Sequence, residues 1–568
     1  MFPALIAATL LAATVPPPQF TDPERPKKLA AAFPEIEKLF TTFVEKQHIP
    51  GAAMGIIIDG NLVWVKTAGL RDVGAKAPAT RDTVWRIASM TKSFTAMSIL
   101  KLRDEGKLSL DDPASKYVPE LAKLTYPTAD SPKITIRHLL THSEGFPEDN
   151  PWGDRQLARS NATMSEWMQG GIPFSTAPGT AYEYSNYGFA ILGQIVERVA
   201  KRPYSDFVRD NILLPLGMKS TTYSASEVPP DRIAKGYRWD DKNWIDEPAL
   251  PHGAFGAMGG LWTTPDDLAR YVAFMMSAFP PRDDPETGPI RRSSAREMQQ
   301  AARSIPVLAT RRSVDAPLDL NVGAYAYGLR IAQDCRFTYM VQHGGGLPGY
   351  GSFERWLPDY GVGLIAFGNL TYAGFTPLFN DALNAMLKTG ALQHRVVQPS
   401  AAMLQAKIDI SSLINQWDDA LAKRIAADNL FLDQSAAERA DEVKKLREQH
   451  GACRAAPTID APNALRGSWP MTCDKGSLVV NITLAPTMPP KVQAWAIRSI
   501  MPPGDAMRQA IESQLSTIPA QWGKCTIAEP LSETVVKVTC DRGDLTARVS
   551  GPTVTFVPMV SADHPCVP

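Results

Sequence analysis

Excess charge of either sign is missing. Lysine plus arginine and aspartate plus glutamate each total 59, so the formal net charge of the 568 residues is zero, and no long-range field marks nucleic acid or an anionic membrane as a partner. The basic cluster Lys444-Lys445-Leu446-Arg447 sits in a helical segment among acids, as a solvated face does. Long hydrophobic runs are also lacking, and beyond the first residues no stretch is apolar enough to cross a bilayer. Neither Cys-x-x-Cys nor His-Glu-x-x-His occurs, so metal chemistry has no foothold, and neither metal nor cofactor is expected. Gly-x-Ser-x-Gly is missing too, which argues against an α/β-hydrolase elbow. Internal repeats are not evident.

Cysteine is scarce. Of six, Cys335 stands alone, and Cys453, Cys473, Cys525, Cys540 and Cys566 fall in the last quarter. An even count permits disulfides in an exported chain, although about fifteen pairings are possible for six cysteines. Export is suggested by the short apolar run Ala4 to Val15 ahead of Pro16-Pro17-Pro18, which suits a secretory signal over residues 1–18. No lysine or arginine precedes that run, so the signal is atypical or the true start lies upstream. The expected location is periplasmic or secreted.

What is present centres on Ser89-Met90-Thr91-Lys92, which closes an extended stretch and opens a helix to about Arg103, with a stop at Gly106. A serine at a helix N-terminus lies where unpaired N–H groups favour developing negative charge. Lys92, three residues on, shares its face. Alone, Ser-x-x-Lys is equally an N-cap followed by a solvated lysine. Two further stretches supply what a serine nucleophile needs: Tyr184-Ser185-Asn186, and His343-Gly344-Gly345-Gly346 after a strand-like run from Phe337 to Gln342.

In this order the three motifs resemble those of the penicillin-recognising serine hydrolases, whose class A members carry Ser-Asp-Asn and Lys-Thr-Gly at the second and third positions. A tyrosine in the second motif is similar to the class C side, with its D,D-carboxypeptidases, D-aminopeptidases and esterases. Ile134 to Ser143, Pro178-Gly179, Pro215 to Met218 and Gly259 to Leu268 continue the likeness, which covers roughly residues 35 to 390. It implies an α+β fold of the beta-lactamase/transpeptidase type: an antiparallel sheet flanked by helices, with a helical subdomain. Beyond about Gly390 the resemblance ends, and the alternation of Val536, Val538 and Cys540 and of Leu545, Ala547 and Val549 reads as an additional C-terminal α+β domain. The expected organisation is residues 19–392 catalytic, 393–455 a helical connector, and 456–568 a small cysteine-containing domain.

The resemblance implies that Ser89 attacks a carbonyl and that Tyr184, its pKa lowered by Lys92, takes the proton. Whether Lys92 or Tyr184 acts first stays open. Asn186 would bond Lys92 or the substrate amide, and the oxyanion would be held by the backbone amides of Ser89 and Gly346, with Gly345 allowing close approach. His343 departs from the lysine of β-lactamases and D,D-peptidases. A histidine is mostly neutral at pH 7 and can shuttle a proton, which weakens the case for substrates recognised by a free carboxylate. The first expectation is therefore an acyl-enzyme hydrolase of a small amide, peptide or ester, like the family's D-aminopeptidases or esterases. The alternatives are a class C β-lactamase or D,D-carboxypeptidase, or a non-catalytic sensor using the C-terminal domain. A small-molecule or peptide substrate is the expected partner, and the oligomeric state is open.

Three local expectations accompany these. His138 and His142, four apart, are read as structural rather than metal-ligating, for want of a third ligand. The acidic loop carrying Glu144, Glu148, Asp149 and Asp154 is read as solvated; the sharper alternative is that one of its carboxylates, or Trp152, recognises a substrate ammonium or aromatic group. Residues Ala278 to Asn321 read as a polar insertion around one short helix.

Overall fold

The computed structural model describes residues 15–310, 319–334, 336–501, 503–532, 534–541, 543–551 and 553–559. Most of the signal-like segment, and Cys335 and Cys566, lie outside these. Asp22–His394 forms one compact unit, and the described residues from Arg395 onward, with those before Asp22, form another.

The first unit is built on a nine-stranded sheet. Its strands are β1 (Gly51–Ile58), β2 (Asn61–Asp72), β3 (Ala77–Pro78), β4 (Arg303–Thr310), β5 (Asp319–Tyr325), β6 (Arg330–Gln333), β7 (Met340–Leu347), β8 (Tyr350–Leu357) and β9 (Val362–Gly368), in the order β3-β2-β1-β9-β8-β7-β6-β5-β4. The hairpin expected at Asp59-Gly60 joins β1 to β2, both residues taking positive φ. β1 is buried throughout because both faces are covered. Ala52, Met54, Ile56 and Ile58 enter one core and Ala53 and Ile57 the other, as period-two alternation requires.

On the first face lie helix α1 (Phe33–Lys46), whose Ile36, Phe40 and Val44 recur every fourth residue, and the later Thr376–Leu387 helix. On the other lies α2 (Thr91–Asp104), buried at every position from Thr91 to Leu100. A helix buried all round must satisfy its hydroxyls internally: Ser93 and Ser98 donate to the Met90 and Phe94 carbonyls, and Thr95 to that of Ala257. Two further helices, α3 (Asn186–Ala200) and α4 (Pro265–Ser277), complete this core; the Thr376–Leu387 helix is α5.

Two expectations change. Within the presumed polar insertion, Arg303–Thr310 is a strand pairing β5. Its Val307 and Leu308 are 61% and 62% exposed, so an edge strand with no buried alternation left no pattern to read. The strand read over Phe337 to Gln342 instead spans Met340–Leu347 and carries the three glycines, paired with β8 from Val341 onward.

In the second unit, α6 (Ala401–Asn415), α7 (Asp419–Ile425) and α8 (Ala436–His450) were expected as a connector. They instead share a core with a five-stranded sheet of β10 (Cys453–Ala455), β11 (Asp460–Asn463), β12 (Arg466–Cys473), β13 (Ser477–Leu484) and β14 (Val492–Ile500). Ile410, Leu413 and Trp469 are fully buried in it. The remainder has its own core. There α9 (Asp505–Gln514) packs Ile511 on the sheet β15 (Cys525–Ser532), β16 (Val535–Cys540), β17 (Gly543–Ser550) and β18 (Thr553–Pro558), where Val536, Val538, Leu545 and Ala547 alternate inward. Disulfides Cys453–Cys473 and Cys525–Cys540 each join directly opposed strand residues.

Candidate active site

Ser89 sits in a single 3-10 turn, Ala88–Met90, leading into α2. Ala88 is held at φ +49°, a left-handed conformation costly for a residue with a Cβ. The turn is pinned from the sheet side. Ser352 of β8 donates to the Ile87 carbonyl at 2.8 Å, and a Cβ on Gly345 would stand 2.0 Å from that same oxygen. Gly345 therefore lets β7 lie against the nucleophile turn, while Gly346 borders the cavity that Ser89 opens onto.

Lys92 is fully buried, and its Nζ lies 3.0 Å from Ser89 Oγ, 2.7 Å from Asn186 Oδ1 and 2.9 Å from the Met258 carbonyl. Burial draws its pKa down to about 7, although the fields of Asp154 and Asp149 oppose this. A neutral amine has two protons and one lone pair. The Asn186 and Met258 oxygens can only accept, so they take the protons and leave the lone pair aimed at Ser89 Oγ.

Asn186 opens α3. Its own N–H and that of Tyr187 donate to the Asp149 carboxylate at 2.6 and 2.8 Å, an anion on a helix N-terminus. Ser185 caps the same turn, accepting from Gly188, and Asn186 Nδ2 donates to Asn150.

The Tyr184 ring lies 4.8 Å from Lys92 Nζ. The expected lowering of its pKa is not found. Burial pushes the phenol well up, and a side-chain hydrogen bond with Ser89 only partly offsets this. The reason is mutual: the same dry environment that keeps the phenol protonated also disfavours the Lys92 cation that was to ionise it.

His343 is also corrected as a proton shuttle. Its Nδ1 is 2.7 Å from the Gly344 carbonyl, which can only accept, so Nδ1 carries the proton and Nε2 accepts from Tyr325 at 3.1 Å. Burial holds its pKa well below the usual histidine range. His343 borders the cavity as a neutral ring with both nitrogens engaged.

The acidic loop is solvated only in part: Glu148 is exposed and Asp149 half-buried. Glu144 is fully buried, Asp154 is 3% exposed, and burial raises the pKa of both. Asp154 lines the cavity, whereas Trp152 faces a separate recess with Trp167 and Tyr187. His142 accepts from the Ser185 N–H, and His138 forms a capping box with Thr135, so the pair orders backbone on two different elements.

The cavity holds about 590 Å³ and gathers Ser89, Tyr184, His343 and Gly346 with Asp154 and Arg330. Arg330 and Tyr372 carry no sequence signal that separates them from any other strand or loop residue.

A model of the beta-lactamase family matches residues 36–385, more than half of the chain, and the protein belongs to that family. Protein flp of Staphylococcus aureus (strain MW2) is 29% identical over 395 residues, 68% of this chain and 70% of its own. Beta-lactamase-like protein 2 of Dictyostelium discoideum is 31% identical over 260 residues, 44% of this chain and 47% of its own. The octameric penicillin-binding protein homologue from Pyrococcus abyssi superimposes with a TM-score of 0.54 at 21% identity, over 93% of this chain and 98% of that one. The fold is thus of the beta-lactamase/transpeptidase type, with extra C-terminal sheets.

Proposed function

We propose that the protein is an exported serine hydrolase that works through an acyl-enzyme on a small amide, peptide or ester, in the manner of D-aminopeptidases or esterases. The observation that carries this reading is the buried Lys92 amine 3.0 Å from Ser89 Oγ, at the wall of an open cavity. Lys92 takes the Ser89 proton as the oxygen bonds to the substrate carbonyl, and the backbone amides of Ser89 and Gly346 hold the oxyanion. As the carbonyl–heteroatom bond breaks, the Tyr184 hydroxyl protonates the leaving group and is reprotonated from Lys92. Water then cleaves the Ser89 ester, giving its proton back through Lys92. Neutral His343 supplies no cation at the third motif, but Arg330 lines the same cavity, so the choice between a peptidase or esterase and a class C β-lactamase rests on comparative turnover. Export is supported by the two disulfides, which persist in oxidising compartments.

The test is turnover of a nitrophenyl ester by the purified protein and its Ser89→Ala variant, beside a chromogenic cephalosporin. Ester hydrolysis that vanishes with Ser89 is the expected result. Equal activity in both proteins overturns the acyl-enzyme, and faster turnover of the cephalosporin returns the protein to the β-lactamases.

A further inference from the structure

Besides the catalytic cavity, the first unit holds a second recess of about 780 Å³. The Asn150–Gly153 turn stands between the two: Asn150 and Pro151 border the catalytic cavity, and Trp152 borders the recess. No residue lines both. The opposite wall is the last turn of the Asn161–Gly170 helix, which brings Glu166 and Trp167, and Tyr187 of α3 joins it.

Aromatic rings and acids share this wall. The Trp152 ring centre is 5.3 Å from that of Trp167 and 6.0 Å from that of Tyr187, yet Trp152 stays 44% exposed. Every charged residue bordering the recess is acidic: Glu148, Asp149 and Glu166. Asp149 is committed to the Asn186 and Tyr187 N–H groups, whereas Glu148 and Glu166 are exposed. Electron-rich ring faces attract a cation within about 6 Å, and carboxylates at the rim act in the same sense. Arg159 already stands 5.7 Å over the Trp167 ring without bordering the recess. An independent sign of a ligand is the Tyr187 hydroxyl. Tyr187 is 7% exposed, and its hydroxyl has no hydrogen-bond partner among the described residues. An unpaired buried polar atom is costly, and a donor from a ligand recovers that cost.

We propose that this recess is an accessory binding site for an arylalkyl ammonium. The cation lies against the Trp152 and Trp167 rings under the field of Glu148 and Glu166, with one N–H given to the Tyr187 hydroxyl. The apolar body of the ligand packs on Phe146 and Ile172, which also border the recess. A neutral analogue loses the ring and carboxylate attraction, and an anion is repelled. The site is separate from the catalytic cavity and does not rest on the hydrolase reading.

The experiment measures calorimetric binding of phenethylamine to the full-length protein at neutral pH, beside phenethyl alcohol and hydrocinnamate, which present a neutral and a negative head on a like body. The amine is expected to bind about tenfold more tightly than the alcohol, and the carboxylate not to bind. Trp152→Ala lowers the affinity for the amine about tenfold, Tyr187→Phe, which keeps the ring, about fivefold, and Glu166→Gln about threefold, less so in high salt. Asp154→Asn, on the catalytic cavity, leaves it unchanged. Three results overturn the proposal: no binding of the amine, equal binding of amine and alcohol, or a loss with Asp154→Asn in place of Trp152→Ala, which puts the cation in the catalytic cavity. If Trp152→Ala does not fold, Tyr187→Phe and Glu166→Gln decide, and unchanged affinity in both overturns the site. Since no turnover is read, amine binding with an inert Ser89 sinks the hydrolase and keeps the site. Ester turnover dependent on Ser89 without amine binding does the reverse.

Discussion

At the scale of single residues, the site separates two groups by the same means. Burial lowers the Lys92 pKa to about 7 and raises that of Tyr184, so near neutrality one is an available base and the other an intact acid. A base must be unprotonated, so turnover of a neutral ester is expected to rise with pH through about 7 and level off above it, with no second limb from His343. Lys92→Met should lower kcat by roughly 10²–10⁴-fold. A pH midpoint that stays near 7 in that variant's residual activity would assign the titration to another group. Ser89 and Lys92 were legible because a helix brings i and i+3 together whatever surrounds it. Asp154 and Arg330 were not. The first looked like one acid among several in a polar loop, and the second like one of many arginines, because which side chains line the cavity depends on what packs around them.

At the scale of elements, catalytic geometry depends on how closely β7 lies against the turn that carries Ser89. Gly345→Ala would put a Cβ 2.0 Å from the Ile87 carbonyl oxygen, a backbone contact that side-chain rotation cannot relieve. The expected outcome is a loss of about 1–3 kcal/mol of stability with a larger loss of turnover, read by denaturant titration and ester kinetics on the same preparation. Unchanged turnover would show that the strand can withdraw without moving Ser89. The glycine run itself was visible in the chain, but whether it formed a loop or a strand was decided by β8, which pairs with it from His343 to Leu347. Strands β16 and β17 were readable for the converse reason, that their burial follows a period of two, and β1 because it is an unbroken apolar run ahead of the Asp59-Gly60 turn. The exposed edge β4 has no such period.

At the scale of the whole molecule, the two disulfides lie in the unit that follows the family match. Closing a loop of about 15 residues adds about 3 kcal/mol by restricting the unfolded chain. Thiol trapping in freshly lysed cells should find Cys453, Cys473, Cys525 and Cys540 oxidised, and reductant should lower the melting temperature. Free thiols in the native protein would remove the support for export. Among the described residues no helix is long and apolar enough to cross a membrane.

The order and spacing of Ser89, Lys92, Tyr184, Asn186 and His343 were written in the chain, and with them the family and the type of fold, because local periodicity and short motifs need no distant partner to be recognised. Protonation was decided only by the tertiary structure. The Lys92 pKa falls to about 7, Tyr184 keeps its proton and His343 stays neutral because segments far apart in sequence exclude water from all three. The same packing brings Asp154 and Arg330 to the wall of one cavity.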